Sequence, residues 1–198
     1  MNCRKKKEKK ATMRFALNVS IIFIMSLFLF QGSNGYDLIS KNCKEASKRD
    51  PEIITYDFCV ACLEEASSKL HPPPTNLEDL VGILITLSKN NATNVLSIIS
   101  KLSKDKSLDK FAIMTLQECS RLYDDSVFRL DIIVASLKSK VFDDVSFTLG
   151  EIRTSSRVCN EDLSAKWRGG ISPLSKEYHI FLQLIWISRV FINIITKT

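Results

Sequence analysis

Cys59-Val60-Ala61-Cys62 sets two thiols three residues apart, the spacing of a dithiol redox pair or of half a metal site. A redox pair needs a surrounding strand-and-helix pattern, which the neighbouring residues lack. A zinc site needs companion ligands close by, and the flanking sequence supplies none. The other chemistry-bearing types are sparse. Of the two histidines, His71 stands next to Pro72-Pro73-Pro74 and reads as a loop residue; His179 reads as a helix-surface residue. Asp124-Asp125 and Asp143-Asp144 are adjacent acids. Successive residues on a helix point about 100° apart, so each pair reads as solvated surface rather than as an acid/base couple. No nucleophile elbow and no Gly-rich phosphate loop is present. The sequence therefore predicts no catalytic residue, no metal ligand and no cofactor.

The termini decide how the charge is read. MNCRKKKEKKATMR followed by FALNVSIIFIMSLFLF has the basic head and short apolar run of a secretory leader. Small residues at Ser33 and Gly35 predict cleavage after Gly35, so that residues 1–35 are a signal peptide and residues 36–198 the mature chain. A retained signal anchor would need roughly 20 apolar residues. The leader holds seven basic residues and one acid, which leaves 21 of the 28 basic and 21 of the 22 acidic residues in the mature chain. The net charge of +6 thus belongs to the leader. The basic pI gives no reason to expect nucleic acid or an anionic membrane as partner. Export implies an oxidising compartment, where Cys43, Cys59, Cys62, Cys119 and Cys159 tend to pair and an odd count leaves one over. Asn91-Ala92-Thr93 is an N-glycosylation sequon.

Prolines fall only between periodic stretches, and apolar residues recur at steps of three and four, which predicts helices and no sheet. Asn76 is a candidate N-cap, and Val81, Ile85, Ser88, Ala92, Val95, Ile99 and Leu102 form one seam. A second helix from about Leu108 to Ser139 carries Ala112, Leu116, Cys119, Tyr123, Ser126, Leu130, Ile133 and Leu137. A third, from about Val141 to Cys159, carries Val141, Val145, Thr148, Ile152, Ser155 and Cys159. A fourth follows Pro173 with Tyr178, Phe181, Ile185, Ser188, Ile192 and Ile195. Short links between amphipathic helices predict an all-α antiparallel four-helix bundle over 76–198, preceded by a helical hairpin and linker over 36–75. The last helix is apolar enough to raise a membrane reading, but Gln183, Arg189 and Asn193 interrupt it. It reads as a core helix, with no stable membrane insertion after leader cleavage.

The cysteines locate the turns. Residues equally far from a helical turn lie level in an antiparallel pair. Ser139 is the midpoint of Cys119 and Cys159, and both sulfurs lie about 30 Å from that turn on inward seams. Pro51 is the midpoint of Cys43 and Cys59, inside the turn-forming Arg49-Asp50-Pro51. The argument does not choose Cys59 over Cys62, since both lie on one helix face and the midpoint barely moves.

Several short pieces now combine: Cys43-Lys44, Tyr56-Asp57-Phe58-Cys59, Leu116, Cys119, Leu122-Tyr123 and Asp125, Cys159 with Glu161-Asp162, and Gly169 to Glu177 followed by Gln183-Leu184. In this order, residues 37–198 resemble the plant invertase and pectin methylesterase inhibitor family. The resemblance is closest to the invertase-inhibitor branch that includes a plane-tree pollen allergen. It implies an N-terminal hairpin on a four-helix bundle with one disulfide in each part, Cys43–Cys59 and Cys119–Cys159, and so leaves Cys62 free. It also implies a secreted apoplastic or vacuolar protein that blocks the active-site cleft of a plant invertase, a β-fructofuranosidase. Pectin methylesterase is the alternative target. A non-inhibitory secreted ligand-binding or pollen surface protein that uses the apolar last helix is a further alternative. Invertase inhibitors of the family carry a Pro-Lys-Phe motif. Its nearest counterpart here is Asp109-Lys110-Phe111, with Asp109 in place of proline. Lys110 would bond acids in a glycosidase cleft, and Phe111 would fill a sugar subsite or, on the plainer reading, pack in the bundle.

Overall fold

The computed structural model describes residues 35–167 and 170–197. The expected leader lies outside the described residues except for Gly35. Helix α1 covers residues 35–49, and a turn at Asp50 to Ile53 leads into α2 (Tyr56–Ser67). The bundle follows as α3 (Leu77–Leu102), α4 (Lys110–Lys138), α5 (Phe142–Lys166) and α6 (Ser175–Ile195). Among the described residues there is no strand.

Local chemistry fixes the helix starts. Asn76 Oδ1 accepts the Asp79 backbone N–H at 2.9 Å, and Asp79 Oδ2 accepts the Asn76 N–H in return, a capping box that begins α3. Asp109 Oδ1 accepts the Ala112 N–H at 2.8 Å and begins α4. Helix α5 runs on to Lys166, well past Cys159. No breaker intervenes before Gly169-Gly170, and Gly170 takes φ +70°, a conformation open to glycine.

Each bundle helix packs on two others: α3 on α4 and α6, and α5 on α4 and α6, which closes the ring. The hairpin helix α2 lies against α3 and α6. The seams of α3, α4 and α6 are buried as the periodicity predicts, save for partly exposed Leu102, Leu137 and Ile195 at their ends. On α5 Val145, Ile152 and Cys159 are buried as expected, and two intervening positions give way to the next residue. Leu149 and Ser156 are buried, whereas Thr148 and Ser155 are only half-buried and Val141 is exposed. Val141 is exposed because it is the N-cap of α5, held outside the helix by a turn in which Lys140 has φ 57°.

Each bundle helix buries one seam serine: Ser88, Ser126, Ser156 and Ser188. Their hydroxyls donate to carbonyls of their own helix, Leu84, Leu122, Arg153 and Leu184, at 2.7–2.9 Å. Small side chains with internal bonds fit the tight core without leaving a polar group unmet. Helix α6 is long and apolar enough to cross a membrane by length and composition alone. In the fold its Phe181, Ile185, Ile187, Phe191 and Ile192 lie in the core instead. The hairpin half-covers Trp186, whose Nε1–H donates to Asp50 Oδ2. It also ties Thr55 to Gln183, whose Oε1 accepts from the Thr55 N–H and hydroxyl at 3.2 Å.

Candidate target-binding site

Two disulfides stiffen the scaffold that would present a binding face. Cys43 joins Cys59 with Cα atoms 5.6 Å apart, and Cys119 joins Cys159 at 5.1 Å. All four residues are buried. The first staples α1 to α2 across the Asp50 turn, and the second joins α4 to α5 at one level. Cys62 is free and half-buried. Burial, and then the Glu65 carboxylate, push its thiol pKa up, so it carries little of the reactive thiolate at neutral pH.

The paired acids do not form a couple. Asp125 holds Arg129 at 2.6 Å, and the same guanidinium reaches Glu151 of α5 at 2.7 Å, while Asp124 is exposed. Asp143 and Asp144 lie exposed in the first turn of α5, where the helix dipole favours acids. His71 and His179 are both exposed. Among the described residues no group of three or more His, Cys, Asp or Glu is placed to hold a metal ion.

Lys110 and Phe111 open α4, at the end of the bundle where α5 finishes. Phe111 is 68% exposed, so it does not pack in the core. The Lys166 ammonium of α5 lies 5.9 Å from its ring centroid. Asp109 has a local reason to stand before Lys110, since proline offers no side-chain oxygen to cap α4. Beside Phe111 runs a shallow cleft of about 240 Å³ lined by Met114, Thr115, Glu118, Asp162 and Lys166. The Arg121 guanidinium bonds Glu118 and lowers its pKa, so the rim keeps its negative charge. Met114 is 54% exposed, and Ile171, in the link between α5 and α6, is also exposed. Sequence reasoning named Lys110 and Phe111 but missed Met114, Ile171 and Lys166. An apolar residue on the outer face of an amphipathic helix was the available signal. At the opposite end, the α4–α5 turn presents Lys138, Lys140 and exposed Val141.

Two other features bear on the alternatives. A groove of about 900 Å³ lies between the Pro72–Pro74 linker and α3–α4, floored by Ile83, Leu87, Val134 and Leu137. The apolar last helix does not line it. Asn91 is half-buried in the middle of α3, and its Oδ1 is buried without a hydrogen-bond partner. A glycan on Nδ2 would have to leave the helix from that position.

Comparison with known proteins follows the same lines. Residues 37–188 match the family described as plant invertase/pectin methylesterase inhibitor. A Platanus acerifolia protein named "Putative invertase inhibitor" is 28% identical over 176 residues, 89% of this chain and 95% of its own length. "Pectinesterase inhibitor 12" of Arabidopsis thaliana is 29% identical over 177 residues, 89% of this chain and 98% of its own. A mutant form of an Arabidopsis pectin methylesterase inhibitor shares the fold, with a TM-score of 0.61 at 17% identity, over 75% of this chain and 95% of that one. The family is one of inhibitor proteins, and its targets are invertases and pectin methylesterases. With its hairpin, four-helix bundle and two disulfides, this chain belongs to the plant invertase/pectin methylesterase inhibitor family.

Proposed function

We propose that the protein is a secreted inhibitor, freed of residues 1–35, that docks on a plant invertase in the apoplast and covers its substrate cleft. The observation that carries this reading is the exposed Phe111 on a disulfide-stiffened helix, flanked by Lys110, Met114 and Lys166. A rigid face with an apolar anchor loses little conformational entropy on binding. Similarity to a protein named as an invertase inhibitor supports the choice of target. Pectin methylesterase is the second reading, supported by the Arabidopsis inhibitor of comparable identity. Asn91 is the position at which the secreted chain would carry a glycan.

The test is a titration of residues 36–198 against an acidic invertase and, separately, a pectin methylesterase. Loss of invertase activity at near-stoichiometric inhibitor, with pectin methylesterase unaffected, is the expected result. The reverse pattern moves the protein to the second reading, and inhibition of neither refutes both. Phe111→Ala is expected to weaken inhibition by about 2 kcal/mol, some thirtyfold, as loss of a central anchor does. If that variant inhibits fully while substitutions at Lys140 and Val141 abolish inhibition, the contact lies at the other end of the bundle.

A further inference from the structure

On the outer face shared by α5 and α6, two arginines lie against one indole. The guanidinium carbon of Arg153 is 4.2 Å from the ring centroid of Trp186, and that of Arg189 is 5.2 Å from it. The Trp186 Nε1–H is held by Asp50 in the α1–α2 turn. The other arginines among the described residues are neutralised: Arg49, Arg121, Arg129 and Arg157 each close an ion pair with a carboxylate. Among the described residues Arg153 and Arg189 close none. The acids nearest along α5, Glu151 and Glu161, are engaged by Arg129 and Arg157. The Nε of both Arg153 and Arg189 is buried and has no hydrogen-bond partner.

This arrangement is electrostatically incomplete. Both guanidinium carbons lie within 5.2 Å of one centroid, which places the two cations inside a Debye length, about 10 Å at 0.1 M salt. Like charges at that range repel. Stacking on the indole offsets part of that cost but accepts no hydrogen bond. A guanidinium presents five N–H donors in a planar fork that matches the oxygens of a carboxylate or phosphate. The Arg189 guanidinium lies against Gly150 of α5, 3.9 Å from where a Cβ would stand, an ordinary packing distance.

We propose that Arg153 and Arg189, held on Trp186, form a binding site for a tetrahedral oxyanion of the phosphate or sulfate class. The Asp50 carboxylate on the indole Nε1–H offsets part of the two positive charges, the cluster keeps a net positive charge, and a tetrahedral oxyanion has enough oxygens to accept from both forks. The site lies about 20 Å along α5 from Lys166, so it is separate from the Phe111 face and independent of which enzyme the protein inhibits.

Trp186 serves as its own reporter once Trp167, the other tryptophan, is replaced by Phe. Inorganic phosphate, sulfate and acetate are each titrated into residues 36–198 at constant ionic strength, with indole fluorescence as the readout. Phosphate and sulfate are expected to give a saturable change and acetate none. Arg153→Gln and Arg189→Gln are each expected to weaken phosphate binding about tenfold or more, as the loss of a charged fork does. Arg189→Lys keeps the charge but loses the fork, and is expected to weaken binding to a lesser degree while retaining the native circular dichroism spectrum. The proposal is overturned if phosphate and sulfate give no saturable change. It also fails if acetate saturates as tightly as phosphate, or if Arg189→Lys binds phosphate with unchanged affinity.

Discussion

Replacing Cys119 and Cys159 together by alanine tests whether the bundle depends on its cross-link. The two residues are 40 apart in sequence. Closing a loop of that length in the unfolded chain removes entropy worth about 4 kcal/mol at 25 °C. Both cysteines are 1% exposed, so the alanines lose two buried sulfurs as well and the total falls no lower than the loop value. In a domain of this size each kcal/mol shifts Tm by about 2–4 °C, so a fall of roughly 8–16 °C is expected. The assay is urea unfolding followed by far-UV circular dichroism, with and without the substitutions, together with a thermal scan. The parallel change at Cys43 and Cys59, 16 residues apart, is expected to cost about 3 kcal/mol, the smaller value that its shorter loop dictates. A loss below about 1 kcal/mol for the Cys119/Cys159 variant would refute the reasoning. It would mean that the native bundle, or residual order in the unfolded chain, already supplies that constraint.

Two further outcomes follow from buried groups. Tyr123 is 1% exposed and its hydroxyl has no hydrogen-bond partner, so Tyr123→Phe is expected to leave stability unchanged or raise it by about 1 kcal/mol; a loss of that size would mean the hydroxyl is bonded. Burial, with Tyr178 and Glu177 adding to it, pushes the Tyr123 pKa up, so its contribution is intact below the ordinary tyrosine value near pH 10 and is lost as pH rises beyond it. Wild-type protein should therefore lose stability above about pH 10 more steeply than Tyr123→Phe, and parallel pH curves would contradict this. Cys62, with its pKa raised by burial and by Glu65, should react with iodoacetamide at pH 8 far more slowly in the folded protein than in urea. Equal rates would show that the thiol is exposed.

Much of the bundle was legible because burial has a period. Val81 through Ile99 and Ala112 through Ile133 lie where steps of three and four place them. The slip on α5 has a specific origin. Ser155 and Ser156 are the same residue type side by side, so composition does not choose between them, whereas Leu149 is more apolar than Thr148 and its burial was legible. Phe111 illustrates the limit for the site. Phe111 stands about 100° from the Ala112 seam, so the period sets it off the core face, and only the packed neighbours decide whether another segment covers it. Contacts such as Asp50 with Trp186, 136 residues apart, leave no periodic trace in the chain. The stacking of Arg153 and Arg189 on that indole is likewise set by how α5, α6 and the hairpin come together.

The central claim is that a catalytically inert helical body occludes another protein's substrate cleft, and competition tests it most directly. Affinity of residues 36–198 for an acidic invertase would be measured by surface binding, with and without a saturating, non-hydrolysed sucrose analogue. The account predicts that the analogue weakens binding in proportion to its occupancy of the cleft. Binding that is equally tight with the cleft filled would contradict it.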